Sequence, residues 1–245
     1  LVGAEFGALG YREWLRGKTP APVLVPEHLT DGGKAFPADA WLASTLPGTA
    51  SFVGTIVSSS AMVTAYTPGN PAGETWIGTG VAIAPYLLLT ANHVVSGATA
   101  ISIAPCRRET EANPLVCEGA FPAEVVAYSE DSDLALIQLL SDLEQKFIPA
   151  EIADTASLTP GEWLWRVGMD GVGIACGSLL TFSADVFEIS APAHPGASGG
   201  PVFDRRGRVV GIMTSYGTEM LSVRGRLLST SVKRELLSKH IPTIR

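Results

Sequence analysis

An antiparallel, all-β fold closed by a single C-terminal helix is what the sequence predicts, and three observations carry the prediction. From Ala50 onward, short apolar or alternating runs rich in Val, Ile and Thr recur between Gly, Pro, Asn and Asp. The segments joining them are too short for the repeated crossover helices that parallel strands need. The 245 residues include 26 glycines and 17 prolines, with 46% hydrophobic and 17% charged side chains. That composition fits tight turns around a core and argues against disorder or a coiled coil.

Residues 1–48 read as an N-terminal extension: an amphipathic patch at 11–15 precedes a stretch punctuated by Pro20, Pro22, Pro26, Pro37 and Pro47. The β pattern begins with runs at 51–58 and 62–66. The apolar run from Val81 to Ala91 is broken by Pro85, which divides it into strands at 80–84 and 87–90. Strands at 100–104, 124–128 and 134–139 complete a first half. Between 141 and 160 the pattern lapses into a polar stretch with Pro149 and Pro160, the natural boundary between two β halves. The second half has runs at 163–167, 176–182, 186–190, 201–203, 209–215 and 226–229. Helical spacing occurs near the end, at Val232, Leu236, Leu237 and Ile241, after the candidate caps Ser229, Thr230 and Ser231. The expected organisation is an extension (1–48), a first β unit (49–149) and a second β unit with the helix (150–245). No fixed-period repeat is visible.

The formal charge of −7, from 17 basic and 24 acidic residues, offers no general attraction for phosphate backbones, so nucleic acid is not an expected partner. The longest apolar run is about half the ~20 residues of a membrane helix, so no membrane span is expected. The chain opens on Leu1, which leaves a removed signal or pro-segment open; a secreted or periplasmic location is favoured over a cytoplasmic one without being fixed. Cys106 and Cys117 flank a polar stretch, and both pairing and free thiols are open readings; Cys176 is odd. No His-x-x-x-His, Cys-x-x-Cys or acidic cluster stands at ligand spacing, so neither metal nor cofactor is expected.

Three segments carry chemistry. In His194-Pro195-Gly196-Ala197-Ser198-Gly199-Gly200-Pro201-Val202-Phe203, a serine lies between glycines, which allow tight turns and the close approach of a substrate carbonyl to main-chain N–H groups. A Gly-x-Ser-x-Gly elbow needs a following helix and a histidine after its acid. Here Gly199-Gly200-Pro201 and a short strand follow instead, and His240 is the single later histidine. The second segment, Leu87-Leu88-Leu89-Thr90-Ala91-Asn92-His93, is a buried strand that ends at a base whose direction a rigid strand can set. The third, Asp131-Ser132-Asp133-Leu134-Ala135-Leu136, puts a carboxylate at the mouth of another apolar strand; Asp133 is favoured over Asp131 and Glu130 because it directly precedes that strand.

The order His93, Asp133, Ser198 resembles the chymotrypsin-like serine peptidases, and within them the bacterial HtrA-type protease domain. The resemblance rests on Gly78-Thr79-Gly80-Val81-Ala82-Ile83, Leu89-Thr90-Ala91-Asn92-His93-Val94-Val95, Ser132-Asp133-Leu134-Ala135-Leu136, Pro195 to Phe203, and Val209-Val210-Gly211-Ile212, and runs from about Thr49 to Ser231. It implies two six-stranded antiparallel barrels, the first carrying His93 and Asp133 and the second Ser198. It further implies a catalytic triad of His93, Asp133 and Ser198, an oxyanion hole at the N–H groups of Gly196 and Ser198, and a protein or peptide substrate. The segment Thr214-Ser215-Tyr216-Gly217 matches the strand that pairs with an extended substrate.

The sequence departs from the trypsin type in three places. The acid that receives a new N-terminus in those zymogens is replaced by Ala197, so Leu1-Val2-Gly3-Ala4 is not expected to act as an activation terminus. The base of the specificity pocket falls at Pro192, with Ala191 and Ala193 beside it, which suits a small or medium apolar side chain before the cut. The chain ends shortly after the helix, so no PDZ domain is expected within it. His194 reads as a wall or loop residue, with a part in tuning substrate preference left open; Arg205, Arg206 and Arg208 read as a solvated hairpin tip, and Gly171-Val172-Gly173 as a hairpin loop. The rival to an endopeptidase is a binding or regulatory protein on a protease fold, with its site held inactive and residues 1–48 docking a partner or serving as a pro-segment.

Overall fold

The computed structural model describes residues 30–31, 34–35, 49–69, 74–107, 115–140, 147–183, 185–217, 221–228 and 236–237. Within the extension this leaves a two-residue ribbon, β1 (Thr30–Asp31) with β2 (Lys34–Ala35). The extension otherwise, and the predicted terminal helix except Leu236 and Leu237, lie outside the described residues; those two leucines are buried.

The first barrel comprises β3 (Ser60–Tyr66), β4 (Thr75–Ala84), β5 (Leu87–Ala91), β6 (Ala100–Arg107), β8 (Phe121–Ser129) and β9 (Leu134–Leu139), with the two-residue β7 (Val116–Cys117) appended to β6. Its order is β3-β4-β5-β9-β8-β6, and β6 pairs back onto β3. The second barrel closes as β10-β11-β12-β15-β14-β13, from β10 (Trp163–Gly168), β11 (Gly173–Phe182), β12 (Val186–Ile189), β13 (Pro201–Phe203), β14 (Val209–Tyr216) and β15 (Val223–Leu227). Counted within each barrel, the strands follow one order, first-second-third-sixth-fifth-fourth, so the two halves repeat a topology that shows no periodicity in the residues. All ladder pairs are antiparallel, as predicted.

One predicted strand is corrected. Residues 51–58 belong to a helix, α1 (Thr49–Ser58). Its apolar side chains Phe52, Val53, Ile56 and Val57 form two adjacent pairs four residues apart, which gathers them on one helical face where period-two alternation would split them. Val53, Ile56 and Val57 are buried, and the Phe52 ring meets Trp165 edge-on at 5.2 Å. Burial of that face overrides the β propensity of its Val and Ile side chains.

The continuous apolar runs are explained by a three-part core. Leu88 of β5 and Ala135 and Ile137 of β9 point into the first barrel. Their neighbours Leu87, Leu89, Leu134 and Leu136 point the other way, into a cluster shared with Trp165, Val167, Met169, Phe203, Val209, Ile212 and α1. Leu164, Phe187, Val202 and Val210 fill the second barrel. A strand with both faces in apolar surroundings has no polar alternation, and each fully buried Leu, Ile or Val contributes about 1.5–3 kcal/mol. The shared cluster presses the barrels together and brings the end of β5 to the loop before β13.

Candidate active site

His93 follows β5 in a one-turn helix, α2 (Asn92–Val95). Asp133 closes the turn between β8 and β9 with φ of +51°, in the left-handed region that few non-glycine residues occupy. Its backbone N–H donates to Glu130 O at 3.1 Å, and its backbone O accepts from Asn92 N–H at 3.0 Å. Both carboxylate oxygens are then spent on His93: Oδ1 accepts from the backbone N–H at 2.9 Å and Oδ2 lies 2.7 Å from Nδ1. The β5–β9 register, with Ala91 opposite Leu134, imposes this meeting. A carboxylate fixed this way puts the proton on Nδ1 and leaves Nε2 free to accept one. Asp131 is not brought to the histidine; its backbone carbonyl accepts from the Arg226 guanidinium.

Ser198 lies on the second barrel in the loop before β13. His194-Pro195-Gly196-Ala197 is a four-residue turn, with Ala197 N–H donating to His194 O at 3.1 Å and Gly196 at φ +104°. Proline second and a positive-φ glycine third mark a type II turn. A side chain at Gly196 would also place its Cβ 2.4 Å from Met169 O. The backbone around Ser198 is fixed on both sides: Ser198 O accepts from Thr79 N–H of the first barrel at 2.8 Å, and Gly199 N–H donates to Met213 O at 2.8 Å. Among the described residues, the N–H groups of Gly196 and Ser198 donate to no protein acceptor, and no hydrogen bond joins Ser198 Oγ to His93. The two unpaired N–H groups lie within one turn of chain, where a carbonyl oxygen could receive both.

The remaining expected residues are accounted for as follows. Ala191 and Ala193 are buried, at 0% and 1% exposure, so their methyl groups face the barrel interior. Pro192 is half-buried, and its carbonyl accepts from the Arg166 guanidinium. Beyond Ile212, the last β14 residue opposite β13, Ser215 and Tyr216 pair only with β15. Both are exposed, and Thr214 and Gly217 flank them half-buried. Cys106 and Cys117 stand opposite each other on β6 and β7 and form a disulfide. Their sulfurs lie 3.6 and 3.1 Å from the Met169 sulfur. Burial pushes the Cys176 thiol up to about 11.

The residue reading missed Thr79, Arg166 and Asp170. Thr79 donates its hydroxyl to Gly196 O at 2.8 Å and accepts from Met169 N–H at 2.9 Å. Arg166 and Asp170 form an ion pair with both side chains fully buried. The available signal was a lone arginine inside the apolar run Trp163-Leu164-Trp165-Arg166-Val167, with an acid four residues later.

Two closed six-stranded antiparallel barrels, a His–Asp pair at the end of one and a glycine-flanked serine on the other, define the chymotrypsin-like class of fold. The profile described as the trypsin-like peptidase domain matches residues 78–212. The chain belongs to that family, a family of serine proteases. It is 29% identical over 140 residues to the Rhizobium meliloti protein named "Probable periplasmic serine endoprotease DegP-like", covering 52% of this chain and 25% of that protein. The Bartonella henselae protein of the same name is 27% identical over 139 residues, 52% of this chain and 25% of the relative. The chain thus spans about a quarter of the length of these relatives. Among solved structures, the active form of the Rv3671c protease from M. tuberculosis superposes with a TM-score of 0.64 at 20% identity, over 89% of this chain and 93% of that one, a likeness of fold.

Proposed function

We propose that this chain is a serine endopeptidase. Ser198 Oγ attacks the scissile carbonyl while His93 Nε2 takes its proton, and Asp133 holds the imidazole and stabilises the imidazolium that forms. The N–H groups of Gly196 and Ser198 receive the negative charge that develops on the carbonyl oxygen. His93 then returns the proton to the leaving amine; water, deprotonated by the same base, attacks the acyl carbon, and His93 gives that proton to Ser198 Oγ as the acyl–oxygen bond breaks. The free side of Thr214-Ser215-Tyr216-Gly217 binds the substrate backbone as an added strand. With no acid at Ala191, Pro192 or Ala193, the side chain before the cut is small or medium and apolar. A secreted or periplasmic site of action accords with the names of the relatives and with the Cys106–Cys117 disulfide.

The observation that carries this reading is the double hold of Asp133 on His93 together with a serine loop whose Gly196 and Ser198 N–H groups are unspent. Ser198→Ala is expected to lower turnover of a peptide by about 10⁶-fold with unchanged melting. The absence of a Ser198–His93 hydrogen bond favours a second reading, a protease-fold binding protein, although resting sites often tighten only around substrate. Fluorophosphonate labelling separates the two: modification at Ser198 supports the peptidase, and an inert serine with tight peptide binding supports the binder.

A further inference from the structure

Arg166 and Asp170 are the most deeply buried charged pair among the described residues, at 0% and 1% exposure, and the steps proposed above do not use them. Arg166 lies on β10, and Asp170 follows in the turn to β11. Arg166 Nη1 donates to Asp170 Oδ1 at 2.9 Å, and Nη2 donates to Pro192 O. Asp170 Oδ1 also accepts from Val172 and Gly173 N–H groups at 3.2 and 3.3 Å. Asp170 Oδ2 accepts from His194 N–H at 3.0 Å. One ion pair therefore grips the main chain of the serine loop twice, at Pro192 and His194. His194 is the first residue of the turn that aims the Gly196 N–H.

The packing above the pair brings Ala197, the residue before Ser198, close to the guanidinium. A Cβ at Gly168 would lie 2.8 Å from Arg166 Nη1 and 3.1 Å from Ala197 Cα, so the guanidinium and Ala197 face each other across a single glycine. Ala197 brings no charge, and the cation beneath it is neutralised from the β10–β11 turn. Arg166 Nε has no hydrogen-bond partner. Burying an arginine with an unpaired N–H is costly, and replacing a buried ion pair by apolar side chains is often neutral or stabilising. The pair is thus poorly explained as a source of stability alone.

We infer that Arg166 and Asp170 are positioning residues that hold the Pro192–His194 main chain, and through it the oxyanion turn, in its catalytic form from within the folded chain. This rests on the endopeptidase reading, so the experiment begins by establishing it in the full-length chain. A quenched-fluorescent peptide with valine before the scissile bond, and a fluorophosphonate probe, are applied to the wild type and to Ser198→Ala. An unreactive, inactive wild type sinks the endopeptidase reading itself. Given an active wild type, Asp170→Asn is expected to lower kcat about 10²-fold or more, the usual effect of losing one oxyanion donor, with KM within about threefold. Labelling should slow in parallel. The double variant Arg166→Met/Asp170→Leu removes both charges but leaves the N–H groups of Val172, Gly173 and His194 and the Pro192 carbonyl without these partners, and is expected to fold with a lowered melting temperature and to keep the low kcat. Wild-type kcat in either folded variant overturns the inference. So does a raised KM at unchanged kcat, which would make the pair a pocket wall. Failure of both variants to fold assigns the pair to stability and also overturns it.

Discussion

Thr79, on a strand of the first barrel, donates its buried hydroxyl to the carbonyl of Gly196 in the second at 2.8 Å, and the same oxygen accepts from Met169 N–H at 2.9 Å. A single side chain therefore ties the turn before Ser198 to the barrel that carries His93 and Asp133. Thr79→Val keeps the shape and removes the oxygen. Met169 N–H, which is buried, and Gly196 O, which is half-buried, lose this partner, at up to about 1–3 kcal/mol each. The expected outcome is a lower melting temperature and a kcat reduced about tenfold or more with little change in KM, read by thermal denaturation and steady-state kinetics on one peptide.

Asp133→Asn tests the hold on His93. An amide in place of the carboxylate reverses the favoured imidazole tautomer and removes the stabilisation of the imidazolium. Turnover should fall by about 10⁴-fold with the fold retained. Near-wild-type turnover would remove Asp133 from the mechanism, and circular dichroism checks that the chain is intact.

The disulfide and the free thiol give a chemical count. The sequence has three cysteines, of which Cys106 and Cys117 are joined and Cys176 is free. With its thiol pushed up to about 11 by burial, Cys176 is almost wholly protonated at pH 8, so its thiolate fraction is far below that of an exposed cysteine. Alkylation of the native chain at pH 8 should be about 10²-fold slower than that of a model thiol. One thiol should react after unfolding without reductant and three after reduction. Cys106→Ser/Cys117→Ser, which opens a short loop, is expected to cost up to about 3 kcal/mol in denaturant titrations.

Ile56→Ala probes the helix α1. The side chain is fully buried in the cluster shared by both barrels, and a cavity there should cost about 2–5 kcal/mol. A loss under about 1 kcal/mol in urea unfolding would contradict its placement.

Much of the site was legible because its signals are local. The Gly-Ala-Ser-Gly-Gly run, the strand ending at His93 and the carboxylate before Leu134 each stand within a few residues, and the structure brings Asp133, not Asp131, to the imidazole. The run at 51–58 misled because Val, Ile and Thr favour strands in isolation, whereas packing of Phe52, Val53, Ile56 and Val57 against the barrels selects a helix. Arg166 was passed over because a pattern of apolar residues says nothing about what an embedded charge meets.

By itself, the sequence determined an antiparallel β protein in two halves and picked out the three residues of the proposed site, since side-chain alternation, turn residues and short motifs are properties of neighbouring positions. Tertiary structure alone decided the repeated strand order of the two barrels, the left-handed backbone at Asp133 and the Thr79 link between the barrels. It alone also placed the buried Arg166–Asp170 pair beneath Pro192 and His194. Each of these depends on groups far apart in the chain, and their positions are set only once burial of the shared apolar cluster has brought the two barrels together.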